Sequence, residues 1–321
     1  MTAAAGRTCP TGYRYGPAAL AAAPEQAADT LYVIGGLYGN KPALDAIEAM
    51  AARETGRVTL CFNGDFNWFN IDDDGFAEIN ARVLAHDALL GNVEAELFSP
   101  DADSGCGCAY PESVDSRVVE RSNAIHARLK TTARRHPVLI ERLSRLPMLR
   151  RYRVGGQAIG VVHGDAESLA GWLFDVAALD DNKNRDRIAD AFRQATVDVF
   201  ACTHTCLPAL RAFVVNGRRR LVINNGAAGM PNFRNASYGL LTRISTRSSR
   251  HRQLYGIQCD GTYIDAIPIG YHQDTWLQHF QANWPKGSPA HASYFSRLVD
   301  GPNHTIRQAA PRELEGKSES L

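Results

Sequence analysis

The chain has 321 residues, 45% of them hydrophobic and 21% charged, enough for a sizeable core in one large domain or two small ones. Lys plus Arg number 35 against 34 Asp plus Glu, and arginines cluster only locally, at Arg134-Arg135 and Arg218-Arg219-Arg220. A near-neutral chain of this kind does not point to nucleic acid.

No apolar run approaches the roughly 20 residues of a membrane span, so no membrane partner is expected. Met1 to Asp29 is rich in Ala and Pro but lacks the charged and apolar regions of a signal peptide, which makes the cytoplasm the expected location. The cysteines number 7, unevenly spread, with Cys106-Gly107-Cys108 and Cys202-Thr203-His204-Thr205-Cys206 as local clusters. That pattern suits metal or redox chemistry in a reducing compartment better than a disulfide framework.

After an irregular segment over 1–29, Thr30 to Ile34 reads as an apolar strand running into Gly35-Gly36-Leu37-Tyr38-Gly39-Asn40. A helix opens at Lys41-Pro42, with Leu44 and Ile47 at helical spacing. The logic then repeats. Strand Val58 to Phe62 leads into Asn63-Gly64-Asp65, an aromatic and polar loop to Asp74, and a helix from Phe76 to His86. A third strand, Ala88 to Leu90, ends in Gly91-Asn92-Val93-Glu94. Three successive strand ends carrying Gly plus a polar residue mark one repeatedly decorated end of a parallel sheet, where ligands bind in α/β folds.

Phe98 to Val114 is a long loop holding Cys106 and Cys108, followed by helices over Ser116 to Ala133 and Pro137 to Leu146. Leu149 to Val154 and Gln157 to Val162 form a hairpin, and the second strand ends in His163-Gly164-Asp165. Helical segments are expected over Ala166 to Leu179 and Asn182 to Ala195, then a buried strand from Val197 to Ala201. Strands Arg211 to Val215 and Arg220 to Ile223 flank the Asn216-Gly217 turn, and the second runs into Asn224-Asn225-Gly226-Ala227. A meander over Tyr238 to Thr246, Gln253 to Cys259 and Tyr263 to Pro268 precedes short helices, Trp276 to Trp284 and Ala290 to Leu298. One domain is expected over 30–300, with a frayed polar tail over 301–321.

The order of these strand ends resembles the calcineurin-like metallophosphoesterase superfamily, in particular its compact bacterial phosphodiesterase branch. The family signature runs Asp-x-His-Gly-Asn, Gly-Asp, Gly-Asn-His-Glu, a lone His, Gly-His-Thr-His and Asn-x-Gly-Ser. The matching stretches are Gly36 to Asn40, Gly64-Asp65, Gly91 to Glu94, His163-Gly164-Asp165, Ala201-Cys202-Thr203-His204 and Asn224 to Ala227. The resemblance spans about Thr30 to Pro268 and implies an α/β fold, a metallophosphoesterase-like β-sandwich of two mixed sheets flanked by helices. It also implies a metal-dependent hydrolase acting on a small-molecule phosphate mono- or diester.

Carried across by position, the resemblance makes Asp65 the bridging aspartate, Asn92 the asparagine ligand, His163 the histidine of the fourth motif and His204 the last histidine. Asp65, Asn92 and His163 are then the expected catalytic residues. Cys202 stands where an imidazole is usual, so Asp65, Asn92, His163 and Cys202 make a four-ligand set for a divalent metal (Zn, Mn or Fe), with His204 and Asp65 left at a second position. The departures are Gly36 for the aspartate and Tyr38 for the histidine of the first motif, and Val93 for the histidine that assists leaving-group departure.

One metal is therefore the first expectation and two the alternative, with Tyr38 filling the vacated space. Cys106, Cys108 or Cys206 could add thiolates, and His86, His126 or Asp165 could replace the missing acid. Arg121, Ser122, Asn123 and Arg234 are candidates for a phosphate, and Trp68, Phe69 and Tyr110 for a ring. The alternative is a non-hydrolytic metal-binding or thiol/redox protein on the same scaffold.

Overall fold

In the computed structural model, which describes residues 5–99 and 104–314, two mixed sheets pack face to face with helices on both outer sides. The first sheet is built on β2 (Thr30–Ile34), β3 (Val58–Asn63) and β4 (Asp87–Leu89), all parallel, with Thr30 opposite Val58 and Cys61 opposite Asp87. Strands β10 (Gly239–Ser245), β12 (Thr262–Ile269) and β11 (Tyr255–Cys259) extend it antiparallel beyond β2, as the meander predicts.

The second sheet runs β1 (Glu25–Ala27), β5 (Leu149–Val154), β6 (Gln157–Val162), β7 (Val199–Cys202), β9 (Arg218–Asn224), β8 (Ala209–Val215) and β13 (Arg312–Leu314). In it β6, β7 and β9 are parallel neighbours. The ends of all these parallel strands meet at one end of the sandwich. Main-chain bonds stitch them together: Gly36 N–H to the Gly64 carbonyl, Thr203 N–H to His163, Asn225 N–H to Cys202 and Ala228 N–H to Gly35.

Period-two alternation sorts the side chains into layers. Leu31 and Val33 of β2, Cys61 of β3, Ile159 and Val161 of β6, and Val199 and Ala201 of β7 fill the space between the sheets. Their neighbours Tyr32, Ile34, Leu60 and Phe62 face outward beneath α2 (Lys41–Ala51), α3 (Asp73–Val83), α5 (Ser116–Ala133) and α10 (Pro289–Asp300). On the opposite side Phe200, Cys202 and Val222 pack under α1 (Pro17–Ala22) and α8 (Arg185–Ala195).

Four segments differ from expectation. The N-terminal stretch is not irregular: α1 buries Leu20 against the second sheet and β1 pairs in parallel with β5. The tail over 301–314 is not frayed, because α11 (Ile306–Ala309) carries a Thr305/Gln308 capping box and β13 pairs with β8; 315–321 lie outside the described residues. The expected helix over Ala166 to Leu179 shrinks to α7 (Val176–Asp180), since the Asp165 carboxylate takes the Glu167, Ser168 and Leu173 N–H groups into a loop. Conversely, the strand-end motif after β4 is itself the first turn of a helix, α4 (Asn92–Phe98), and Gly91 is its N-cap.

Far from the strand ends, the six-stranded sheet is tied by a buried pair. Arg243 donates through Nε (2.5 Å) and Nη2 (3.1 Å) to both oxygens of Glu54, which also accepts from the Tyr32 hydroxyl at 2.8 Å. The two side chains are 0% and 2% exposed. Removing Glu54 leaves the buried Arg243 guanidinium with only one longer carboxylate contact, to Asp265 at 3.6 Å, so Glu54→Ala is expected to lower stability by about 3–5 kcal/mol. Urea denaturation measures this, and a loss below 1 kcal/mol would show that the pair is not a tie at all.

Candidate metal centre

The site grows out of three tight strand ends. Gly64 follows β3 at φ +77°, and a Cβ there would lie 2.7 Å from His163 Nδ1, so only glycine allows the turn to close on the histidine. Asp65 itself takes a left-handed φ of 55°, a conformation Asp tolerates better than most residues. Two backbone-directed interactions hold it. Val93 N–H donates to its Oδ1 at 3.2 Å, and the buried Glu94 carboxylate accepts from the N–H groups of Asp65 (2.7 Å), Phe66 (3.1 Å), Asn67 (3.1 Å) and Gly91 (3.3 Å).

His163, at the end of β6, donates from Nδ1 to the Asn63 carbonyl at 2.7 Å. That bond sets the tautomer and turns Nε2 toward Asp65 Oδ1 (3.4 Å), Asn92 Oδ1 (3.2 Å) and His204 Nδ1 (3.2 Å). His204, after β7, donates from Nε2 to the Cys108 carbonyl at 3.1 Å, so its Nδ1 faces inward as well. Asn92 spends its amide N–H groups on the Cys106 carbonyl (2.8 Å) and Cys108 Sγ (3.3 Å), leaving its oxygen for the centre. Ligand atoms of Asp65, His163 and His204 lie within 4.8 Å of one another, all buried.

This set fits a cation. Two ring nitrogens whose outer N–H groups are committed to carbonyls point at each other, and only a proton or a metal ion between them relieves the repulsion of their lone pairs. Burial opposes a charge on His163, but the Asp65 carboxylate raises the imidazole above its ordinary value. Burial, then the charge on His163, pushes His204 down to about 4. For Asp65, burial is outweighed by His163, and its carboxyl is held below the usual range. Two imidazoles, one carboxylate and one amide oxygen suit Zn, Mn or Fe.

Four of the five residues expected as ligands therefore meet, and Cys202 does not. Val199 and Ala201 of β7 face the inter-sheet core, so Cys202 points to the outer, helix-covered side, where its thiol donates to the Ile223 carbonyl at 3.7 Å. Burial drives that thiol well above its ordinary range. Cys106 and Cys108 are not thiolate ligands either, because they are joined as a disulfide. Their loop does fold over the strand ends, and its contribution is the carbonyls that orient Asn92 and His204.

The first-motif substitutions are sterically paired. A Cβ on Gly36, which has φ +67°, would lie 2.9 Å from both Cζ and the hydroxyl oxygen of Tyr38. The Tyr38 ring thus occupies the room an aspartate at 36 would need. Its hydroxyl meets Cys206 Sγ at 2.8 Å, and burial, then Cys206 and Asp65, keep the phenol protonated.

A cavity of about 180 Å³ opens over the cluster, walled by Trp68, Tyr110, Trp172, Tyr294, Cys206 and Arg297. Trp68 and Tyr110 fulfil the expectation of aromatics there, while Phe69 packs in the core against Phe280 and Trp276. Arg121, Ser122, Asn123 and Arg234 do not line the cavity; Ser122 bonds the Tyr110 hydroxyl and Asn123 the Cys106 N–H. Trp172, Tyr294 and Arg297 were not foreseen, since each comes from a segment with no motif around it.

None of the three substitutes for the missing acid reaches the cavity. Asp165 is consumed by backbone N–H groups, His86 packs on Phe62, and His126 donates from Nε2 to the Val93 carbonyl at 3.0 Å. Burial holds His126 neutral, down at about 4 against an ordinary 6.5. Between those values the unfolded chain binds a proton that the folded chain does not, so His126 costs stability as pH falls through 6.5 towards 4. Wild type should lose up to about 3 kcal/mol more than His126→Leu between pH 7 and pH 4, read from urea midpoints. Identical pH dependence in the two proteins would refute the neutral, structural assignment.

No protein-family model matches the sequence, and neither does any curated protein. Solved structures do match over most of the chain. A metallophosphoesterase from Sphaerobacter thermophilus is 16% identical, with a TM-score of 0.52 over 85% of this chain and 100% of that one. A hypothetical protein from Pyrococcus horikoshii OT3 is 14% identical, with a TM-score of 0.57 over 86% of this chain and 99% of that one. With its two mixed sheets flanked by helices, the chain shares the α/β-sandwich fold of these two structures, one of them a metallophosphoesterase.

Proposed function

We propose that the chain is a metal-dependent phosphoesterase-like hydrolase that works with one divalent cation on a small-molecule phosphate ester. The observation that carries this is the pair of imidazoles fixed by main-chain carbonyls, His163 Nε2 and His204 Nδ1 at 3.2 Å, beside the Asp65 and Asn92 oxygens. Asp65, Asn92, His163 and His204 hold the cation. When bound it supplies a Lewis acid for a phosphoryl oxygen and a water acidic enough to ionise near neutral pH. The chain's own contribution is to fix those four donors and to wall the cavity with Trp68, Tyr110, Trp172 and Tyr294, which exclude bulk water and seat the organic part of the ester.

With Val93 at the family's second histidine position and His126 turned away, no imidazole among the described residues, besides the proposed ligand His204, lines the cavity to protonate the departing group. Esters with good leaving groups are therefore the preferred substrates. Among the described residues no helix is long and apolar enough to cross a membrane.

One observation favours a second reading, a non-hydrolytic metal-binding or thiol protein. Tyr38 fills the space of the first metal motif and presents the Cys206 thiol to the cavity.

Metal analysis of protein purified without affinity-tag metals tests the centre. Wild type and Cys202→Ser should carry Zn, Mn or Fe, whereas Asp65→Ala and His163→Ala should carry little. Metal-free wild type, or full metal in the two alanine variants, would be incompatible with the assignment. Release of p-nitrophenol from p-nitrophenyl and bis-p-nitrophenyl phosphate, stimulated by the same metals, separates the two readings. Metal bound without any release would favour the non-hydrolytic one.

A further inference from the structure

Arg297 lines the cavity from α10. Its Nη2 donates to the Cys206 carbonyl at 2.6 Å and its Nε to the Pro231 carbonyl at 3.3 Å. These two bonds aim the guanidinium but leave Nη1 without an acceptor, and among the described residues no carboxylate pairs with it. The contrast with the fully buried arginines is sharp. Arg211 is matched by Asp180 at 2.5 Å and Arg243 by Glu54 at 2.5 Å. A half-buried guanidinium held by neutral carbonyls, with no counter-charge from the protein, leaves a positive potential directed into the cavity.

Its anchor adds a second point. The residue whose carbonyl holds Arg297, Cys206, also bonds the Tyr38 hydroxyl through its thiol at 2.8 Å. The Tyr38 ring in turn occupies the space in front of Gly36. Arg297 is thus fastened next to the part of the site that has lost its own metal-binding side chains. A phosphoryl transition state spreads charge over its non-bridging oxygens, and one cation neutralises them less completely than two. A planar fork of N–H donors is the side chain best shaped to take over that task.

We propose that Arg297 is a substrate-binding residue, which takes a non-bridging phosphoryl oxygen and supplies the positive charge that the Gly36 and Tyr38 substitutions remove. The assignment rests on the metal-dependent reading above. It makes the site a cation-plus-guanidinium clamp, selective for a phosphoryl anion over a neutral ester of the same shape.

Inorganic phosphate is the probe, titrated calorimetrically into metal-loaded full-length protein, with metal content measured on the same samples. Arg297→Gln should retain its metal and bind phosphate about 10- to 100-fold more weakly, the weight of one charge-assisted hydrogen-bonding contact. Arg297→Lys should fall in between, because it keeps the charge and loses the fork. Guanidinium ion added to Arg297→Ala should restore part of the affinity, which a purely structural role for the side chain would not allow. Wild-type phosphate affinity in metal-loaded Arg297→Gln overturns the proposal. If that variant does not fold, unchanged affinity in Arg297→Lys overturns it equally. A wild type that takes up no metal instead overturns the reading on which the proposal rests, so the two failures are told apart.

Discussion

The end of the sandwich where Asp65, Asn92, His163 and His204 gather depends on one buried carboxylate, that of Glu94. It accepts the N–H groups of Asp65, Phe66, Asn67 and Gly91, and so holds the loop after β3 against the start of α4. Each of those donors, left unpaired in a dry interior, would cost about 1–3 kcal/mol. No water-filled alternative is available at a position that is fully buried. The interaction has an electrostatic consequence. Burial, and then the nearby Asp65 charge, raise the Glu94 carboxyl to about 7, while His163 draws Asp65 the other way. The two carboxyls in one dry corner are thus pushed apart, with the charge concentrated on Asp65 beside the imidazoles, so the residue that shapes the turn also helps keep Asp65 the ionised member of the pair.

The strand ends after β3, β4 and β6 were legible because each pairs an apolar run with glycine and a polar residue, a pattern that fits buried parallel strands. Asp65, Asn92, His163 and His204 were singled out by the resemblance of the ordered set of motifs, since the β7 end, Cys202-Thr203-His204, carries no glycine. Cys202 was misread by motif position, although strand alternation contained the answer: if Ala201 faces inward beside Val199, Cys202 must face out. Helix α4 escaped notice because it begins inside a motif and its N-cap, Gly91, has no side chain to announce it. The terminal segments escaped for another reason. Glu25 pairs opposite Arg151 and Arg312 opposite Arg211, and pairing across such separations leaves no local trace in the chain.

Gly36 and Tyr38 illustrate what a list of substitutions omits. Read singly, each is a lost ligand. In three dimensions they are one exchange, because the phenol ring takes the volume that a side chain at 36 would fill. Changing either one alone would leave a clash or a hole, which is how a packed interior couples two positions. The exchange also draws Cys206 into the cavity wall, and through its carbonyl the guanidinium of Arg297.

The orientation of the ligands is written mainly in the main chain. His163 is aimed by the Asn63 carbonyl, His204 by that of Cys108, Asn92 by that of Cys106, and Arg297 by those of Cys206 and Pro231. Carbonyls carry no residue identity, so a one-dimensional reading names the side chains of the cluster and misses what points them. It follows that the loop bearing Cys106 and Cys108 matters for its path rather than for its thiols. The disulfide joins two residues whose oxygens face Asn92 and His204, and the geometry of the centre is thereby tied to a loop that supplies no ligand of its own.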